Sequence, residues 1–77
     1  MESLYVLVRV EPTYEQQVGE KIKALDACKE IYPLFGDYDF IVKIEGKDHE
    51  DLTRIILGQI RGLDGVASTK TLVKTSF

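Results

Sequence analysis

Leu34-Phe35-Gly36-Asp37-Tyr38-Asp39-Phe40 separates two apolar runs, Ile31 to Phe35 before it and Phe40 to Ile44 after it. Gly36 tolerates a positive φ, and Asp37 can hydrogen-bond its own backbone. Strand material on both sides of such residues predicts a β-hairpin. Its tip gathers two carboxylates, a phenol and several backbone N–H groups. The rest of the chain is the scaffold that holds this tip.

Outward from the tip, Phe40 to Glu45 predicts a strand with Phe40, Val42 and Ile44 on one face and Ile41 and Lys43 on the other. Cys28 to Phe35 predicts the strand before it. Pro33 lies inside that strand and cannot donate to a ladder, so the strand belongs at an edge or carries a bulge. Upstream, Thr13 fits a helix N-cap, and Gln16 three residues later completes a capping box. Tyr14, Val18, Ile22 and Leu25 recur at helical spacing, Glu15, Gln17, Glu20, Lys21 and Lys23 point outward, and the helix fades near Asp26. Ser3 to Val10 opens the chain as a strand whose faces, Leu4/Val6/Val8/Val10 and Tyr5/Leu7/Arg9, are both largely apolar. A strand with one wet face alternates cleanly, so this one is expected at the centre of its sheet with both faces covered.

Downstream, Asp48 caps a second helix with Glu50 and Asp51 in its first turn, where the helix dipole favours negative charge. Leu52, Ile55, Ile56, Ile60 and Leu63 form its apolar stripe; Leu57 falls off that stripe, and Gly58 is expected to interrupt the helix. Gly62 to Gly65 ends it. Val66 to Thr75 predicts a last strand with Thr69 and Thr71 on one face and Lys70 and Leu72 on the other. The order strand-helix-strand, strand-helix-strand predicts a single α+β domain over residues 1–77. Its expected fold is ferredoxin-like βαββαβ, a four-stranded antiparallel sheet with both helices on one face. The opposite face then carries too much apolar surface for a monomer, and dimerisation through the sheet follows.

Composition narrows the function. At 77 residues the core is small enough to need a partner subunit. A formal net charge of −3 is unsuited to a free-standing nucleic-acid binder, which needs a basic footprint. Cys28 is the only cysteine, which excludes an internal disulfide and a multi-cysteine metal site. No apolar run approaches membrane-spanning length and no stretch has the shape of a signal peptide, so a cytoplasmic protein without membrane contact is expected. His49, the one histidine, reads as a helix-surface residue. No phosphate loop or Ser/His/Asp set occurs. No catalytic residue, metal or cofactor is therefore expected. The tip itself suits a free amino acid: N–H groups at a glycine turn attract an anion, and carboxylates accept from an ammonium group. Asp37 and Asp39 as mere turn-formers is the competing account.

Gly36 to Ile44, Leu63 to Thr71 and Val8 to Pro12 together resemble the ligand-binding domain of the Lrp/AsnC, or feast/famine, transcription regulators. The matching pieces are the Gly-x-Tyr-Asp turn, the apolar strand after it, and an Asp-Gly-Val start to the last strand followed by a Thr-x-Thr pair. The resemblance implies a domain that binds amino acids and assembles into dimers and larger rings of dimers. It places the effector near the tip, with Gly36, Asp37, Tyr38, Asp39, Thr69 and Thr71 as ligand-binding residues. Regulators of that family carry a helix-turn-helix domain, whereas this chain starts directly at its first strand. A stand-alone member is thus expected, without direct nucleic-acid contact and with a full-length regulator as a partner. The alternatives are a small dimeric α/β-barrel enzyme of the cofactor-free monooxygenase type and an ACT-like regulatory module.

Overall fold

The computed structural model describes residues 1–73. Its elements are β1 (Glu2–Val10), α1 (Glu15–Lys23), β2 (Cys28–Pro33), β3 (Phe40–Gly46), α2 (His49–Ile55) and β4 (Val66–Leu72). A π-helical turn, Ile56–Ile60, continues α2 without a break. The sheet order is β2-β3-β1-β4, and every pairing is antiparallel, as the ferredoxin-like arrangement requires. β1 and β3 are central because both carry β-branched residues at successive inward positions. Val6, Val8, Val42 and Ile44 are fully buried there, against Val18 and Ile22 of α1 and Leu52 and Ile60 beyond them. β2 is an edge strand, the first of the two alternatives that Pro33 offers; its register shift lies away from Pro33, between Cys28 and Glu30.

Asp48 caps α2 as expected, its carboxylate accepting from the Asp51 N–H at 2.8 Å. Asp51 returns the bond, accepting from the Lys47 N–H at 2.9 Å and pairing with Arg54. That backbone bond, aided by Arg54, holds the Asp51 carboxyl below the ordinary carboxylate range.

Four local expectations are corrected. Thr13 does not cap α1: its φ is 76°, Tyr14 occupies the cap position without a side-chain bond, and Gln16 turns instead to Glu20 at 3.3 Å. Tyr14 leaves the buried stripe and packs its ring over Gly65, where a Cβ would lie 2.3 Å away. The tight packing of the 11–14 turn against the 62–65 turn, sealed by Glu11 N–H donating to Gly65 O at 2.7 Å, overrides the capping signal. Gly58 does not interrupt the helix, because the chain widens into the π turn, with Arg61 N–H donating to Ile56 O at 2.9 Å. β2 stops at Pro33 and β4 at Leu72; the remainder of the predicted last strand, Lys74 and Thr75, lies outside the described residues. As expected with both helices on one face of the sheet, only the helix-facing side of β1 is covered within one chain. Tyr5, Leu7 and Arg9 look out from the open face of the sheet.

Candidate functional site

The tip is a six-residue connection rather than a tight turn, since strand pairing ends at Pro33 and Phe40. Leu34 N–H donates to Asp39 O and Asp39 N–H to Val8 O, both at 2.8 Å, and Gly36 takes φ 115°. β3 ends opposite Val8, so the next outward N–H of β1, that of Val10, has no strand partner. The Asp39 carboxylate takes it at 2.8 Å. Arg9 clamps the loop from the open face of the sheet. Its Nε donates to Asp37 O at 2.8 Å, and its guanidinium lies 5.2 Å from the Tyr38 ring centroid, a cation–π distance. Among the described residues, the N–H groups of Gly36, Asp37 and Tyr38 make no hydrogen bond, and the Asp37 carboxylate is exposed. The tip therefore presents free donors beside a free carboxylate, while Asp39 holds it to β1.

Thr69 and Thr71 are placed elsewhere. They pair with Val8 and Val6, whose side chains face the helices, so they share that side of the sheet at its β4 edge. There a cavity of 330 Å³ opens between β4 and the α2–π helix. His49, Thr53 and Arg61 border it from the helical side, with Leu4, Ile56 and Leu57 as its apolar surface. One copy of the chain thus brings Gly36, Asp37, Tyr38 and Asp39 together, and separately groups Thr69 with Thr71. It does not bring the two groups into one cavity.

Among the described residues, no polar or charged residue is buried, and no three His, Cys, Asp or Glu side chains cluster to hold a metal. Burial pushes the Cys28 thiol up, away from a reactive thiolate, and its Sγ sits 3.6 Å from Glu30 O. No helix among the described residues is long and apolar enough to cross a membrane.

Sequence reasoning passed over Arg9 and Arg61 and read His49 as a helix-surface residue, which it is, exposed on α2 and also bordering the cavity. Arg9 had a signal, a lone cation on a central and otherwise apolar strand. The cavity residues had none, because positions 49, 61 and 69 meet only through the packing of α2 on β4.

The family model for the Lrp/AsnC ligand binding domain matches residues 3–76. An uncharacterised HTH-type transcriptional regulator of Pyrococcus abyssi is 28% identical over 72 residues, which is 90% of this chain and 48% of the regulator. A homocitrate synthase of Sulfurisphaera tokodaii is 40% identical over 58 residues, 75% of this chain and 12% of the enzyme. The chain therefore spans less than half the length of these relatives. The crystal structure of FFRP-DM1 superposes with a TM-score of 0.92 at 32% identity, covering 97% of this chain and 100% of that one.

Proposed function

The chain belongs to the Lrp/AsnC ligand-binding domain family, and on that premise we propose that it is an amino-acid-binding and oligomerisation module whose ligand sits between copies. One observation carries this reading: the free N–H groups and carboxylate of the tip and the hydroxyl-lined cavity at β4 are separate on one chain. Each is half a site. Docking the tip of one copy over the cavity of another completes it.

In that arrangement the N–H groups of Gly36, Asp37 and Tyr38 hold the α-carboxylate, because backbone donors at a glycine loop form an anion-binding concavity. The Asp37 carboxylate receives the ammonium group. Asp39 contributes only through the oxygen that Val10 leaves free. Thr69 and Thr71 supply hydroxyls from the neighbouring copy. Ligand binding is thereby coupled to assembly, since the bound molecule bridges two subunits and adds its affinity to theirs. Likeness to part of a regulator and to part of an enzyme supports a module that reports ligand level to different attached or associated partners, a full-length regulator among them.

A thermal-shift screen of the common amino acids, followed by calorimetry, tests the reading. A ligand at 100 times its Kd stabilises the folded state by about 2.7 kcal/mol, a shift of several degrees for a domain this small. Asp37→Ala removes the partner of a desolvated ammonium and weakens binding roughly ten- to a hundred-fold. Thr71→Val weakens it less. A screen without any shift overturns the reading, and so does a ligand indifferent to both variants.

A further inference from the structure

We propose that the β4 cavity selects a ligand with a second carboxylate, an acidic amino acid or a compound of like charge, through Arg61 and His49. The inference rests on the reading that this cavity is half of the ligand site, and it names the ligand class. The chain is acidic overall, and its surface hollows show it. Four other concavities, of 610, 450, 380 and 390 Å³, each carry at least one Glu or Asp on their walls. Among the described residues, the 330 Å³ cavity carries none. It has instead a guanidinium, an imidazole and the hydroxyls of Thr53, Thr69 and Thr71.

Among the described residues, the side chains of Arg61 and His49 make no hydrogen bond or ion pair, while the nearby Arg54 is taken by Asp51. The Asp48 carboxylate beside His49 is engaged by the Asp51 N–H. An adjoining hollow shares Leu4 and His49 with this cavity and has Glu2 on its wall, whereas Arg61 borders the 330 Å³ cavity and not that hollow. The π turn sets that geometry. Its i→i+5 bond carries Arg61 over Ile56, one residue earlier than an α-helix would, and leaves Ile56, Leu57 and Arg61 all bordering the cavity. Such turns recur at functional sites. A volume near the low end of the roughly 300–1,000 Å³ typical of small-molecule pockets suits a short side chain. A guanidinium fork suits a carboxylate better than an amide, which presents only one acceptor oxygen.

Calorimetric titration of the wild-type chain with glutamate, aspartate, glutamine, asparagine, leucine and succinate decides it, alongside Arg61→Gln and Arg61→Lys. The expected result is an acid bound at least ten-fold more tightly than its own amide. Arg61→Gln levels that preference, Arg61→Lys retains part of it, and the affinity for the amide falls less than that for the acid. Arg61 is exposed, so both variants fold, which their circular dichroism checks. Amides or leucine binding as well as the acids overturns the selection while leaving the amino-acid reading standing. So does an acid preference that survives Arg61→Gln. Succinate binding in an Arg61-dependent way, with these five amino acids and the wider screen silent, upholds the cavity's preference and sinks the amino-acid reading. Silence from all six overturns the selection, and the screen of the common amino acids then decides the amino-acid reading.

Discussion

Asp37 and Asp39 stand two residues apart and do different work. Asp39 accepts from the Val10 N–H, which no strand can reach, so Asp39→Ala leaves a part-buried donor unanswered. A loss of about 1–3 kcal/mol is expected in urea denaturation at fixed protomer concentration. Asp37 offers only its carbonyl to Arg9, and Asp37→Ala is expected to leave stability unchanged while weakening ligand binding. Equal stability losses for the two would erase the distinction. Asp51 gives a pH-dependent prediction. Its carboxyl is held low chiefly by the Lys47 N–H and then by Arg54, so the folded state favours the ionised form. The stabilisation is present above the ordinary carboxylate pKa and is lost as pH falls through the depressed one. Wild-type stability should therefore drop more steeply than that of Asp51→Asn between about pH 5 and pH 2, the curves converging at the acid end. Parallel curves would show that Asp51 contributes nothing through its charge.

Two glycines separate what an element tolerates from what it requires. Gly58 lies in the widened turn of the second helix with open space around the position of a Cβ. Gly58→Ala lowers the entropy of the unfolded chain at no steric cost and is expected to stabilise by about 0.5–1 kcal/mol. Gly65 takes φ 94°, and a Cβ there would strike the Tyr14 ring. Gly65→Ala is expected to cost more than about 1 kcal/mol, with Tyr14→Ala recovering part of the loss. Thermal melts of the three variants decide both points, and a destabilised Gly58→Ala would mean that the π turn itself needs glycine. The capping box at Thr13 fails for a related reason. Its local signal is worth about 1 kcal/mol, and the contact between two turns distant in sequence outweighs it.

At the scale of the molecule, the open face of the sheet sets Leu7 opposite Ile41, Ile41 opposite Tyr32, and Tyr5 opposite Leu72. Tyr5, Tyr32 and Leu72 are all exposed, an apolar strip with the Lys43–Glu30 pair at 3.7 Å among it. We infer that a second copy covers this face. Ile41→Asp is expected to convert dimers to monomers in sedimentation at micromolar concentration; a dimer that persists places the interface elsewhere. Leu57 is 53% exposed at the rim of the β4 cavity, where the tip of another copy would dock. Leu57→Glu should shift larger assemblies toward dimers and leave the dimer intact. An unchanged profile removes that contact.

The apolar runs of the strands, their order with the helices, and the helical stripes around Val18, Ile22, Leu52 and Ile60 determined the fold from sequence alone, because burial of those faces dominates its energetics. Pro33 placed its strand at an edge, and Gly36 with Asp37 located the tip, through backbone restrictions that act locally. What the tertiary structure decided is long-range. Val10 lacking a strand partner makes Asp39 a brace, and the register of the last strand turns Thr69 and Thr71 toward the helices. The packing of α2 and its π turn on β4 brings Arg61 and His49 to those threonines across positions with no periodic relation. Polar groups meet where the apolar faces leave them, and that meeting is a consequence of packing which no spacing along the chain records.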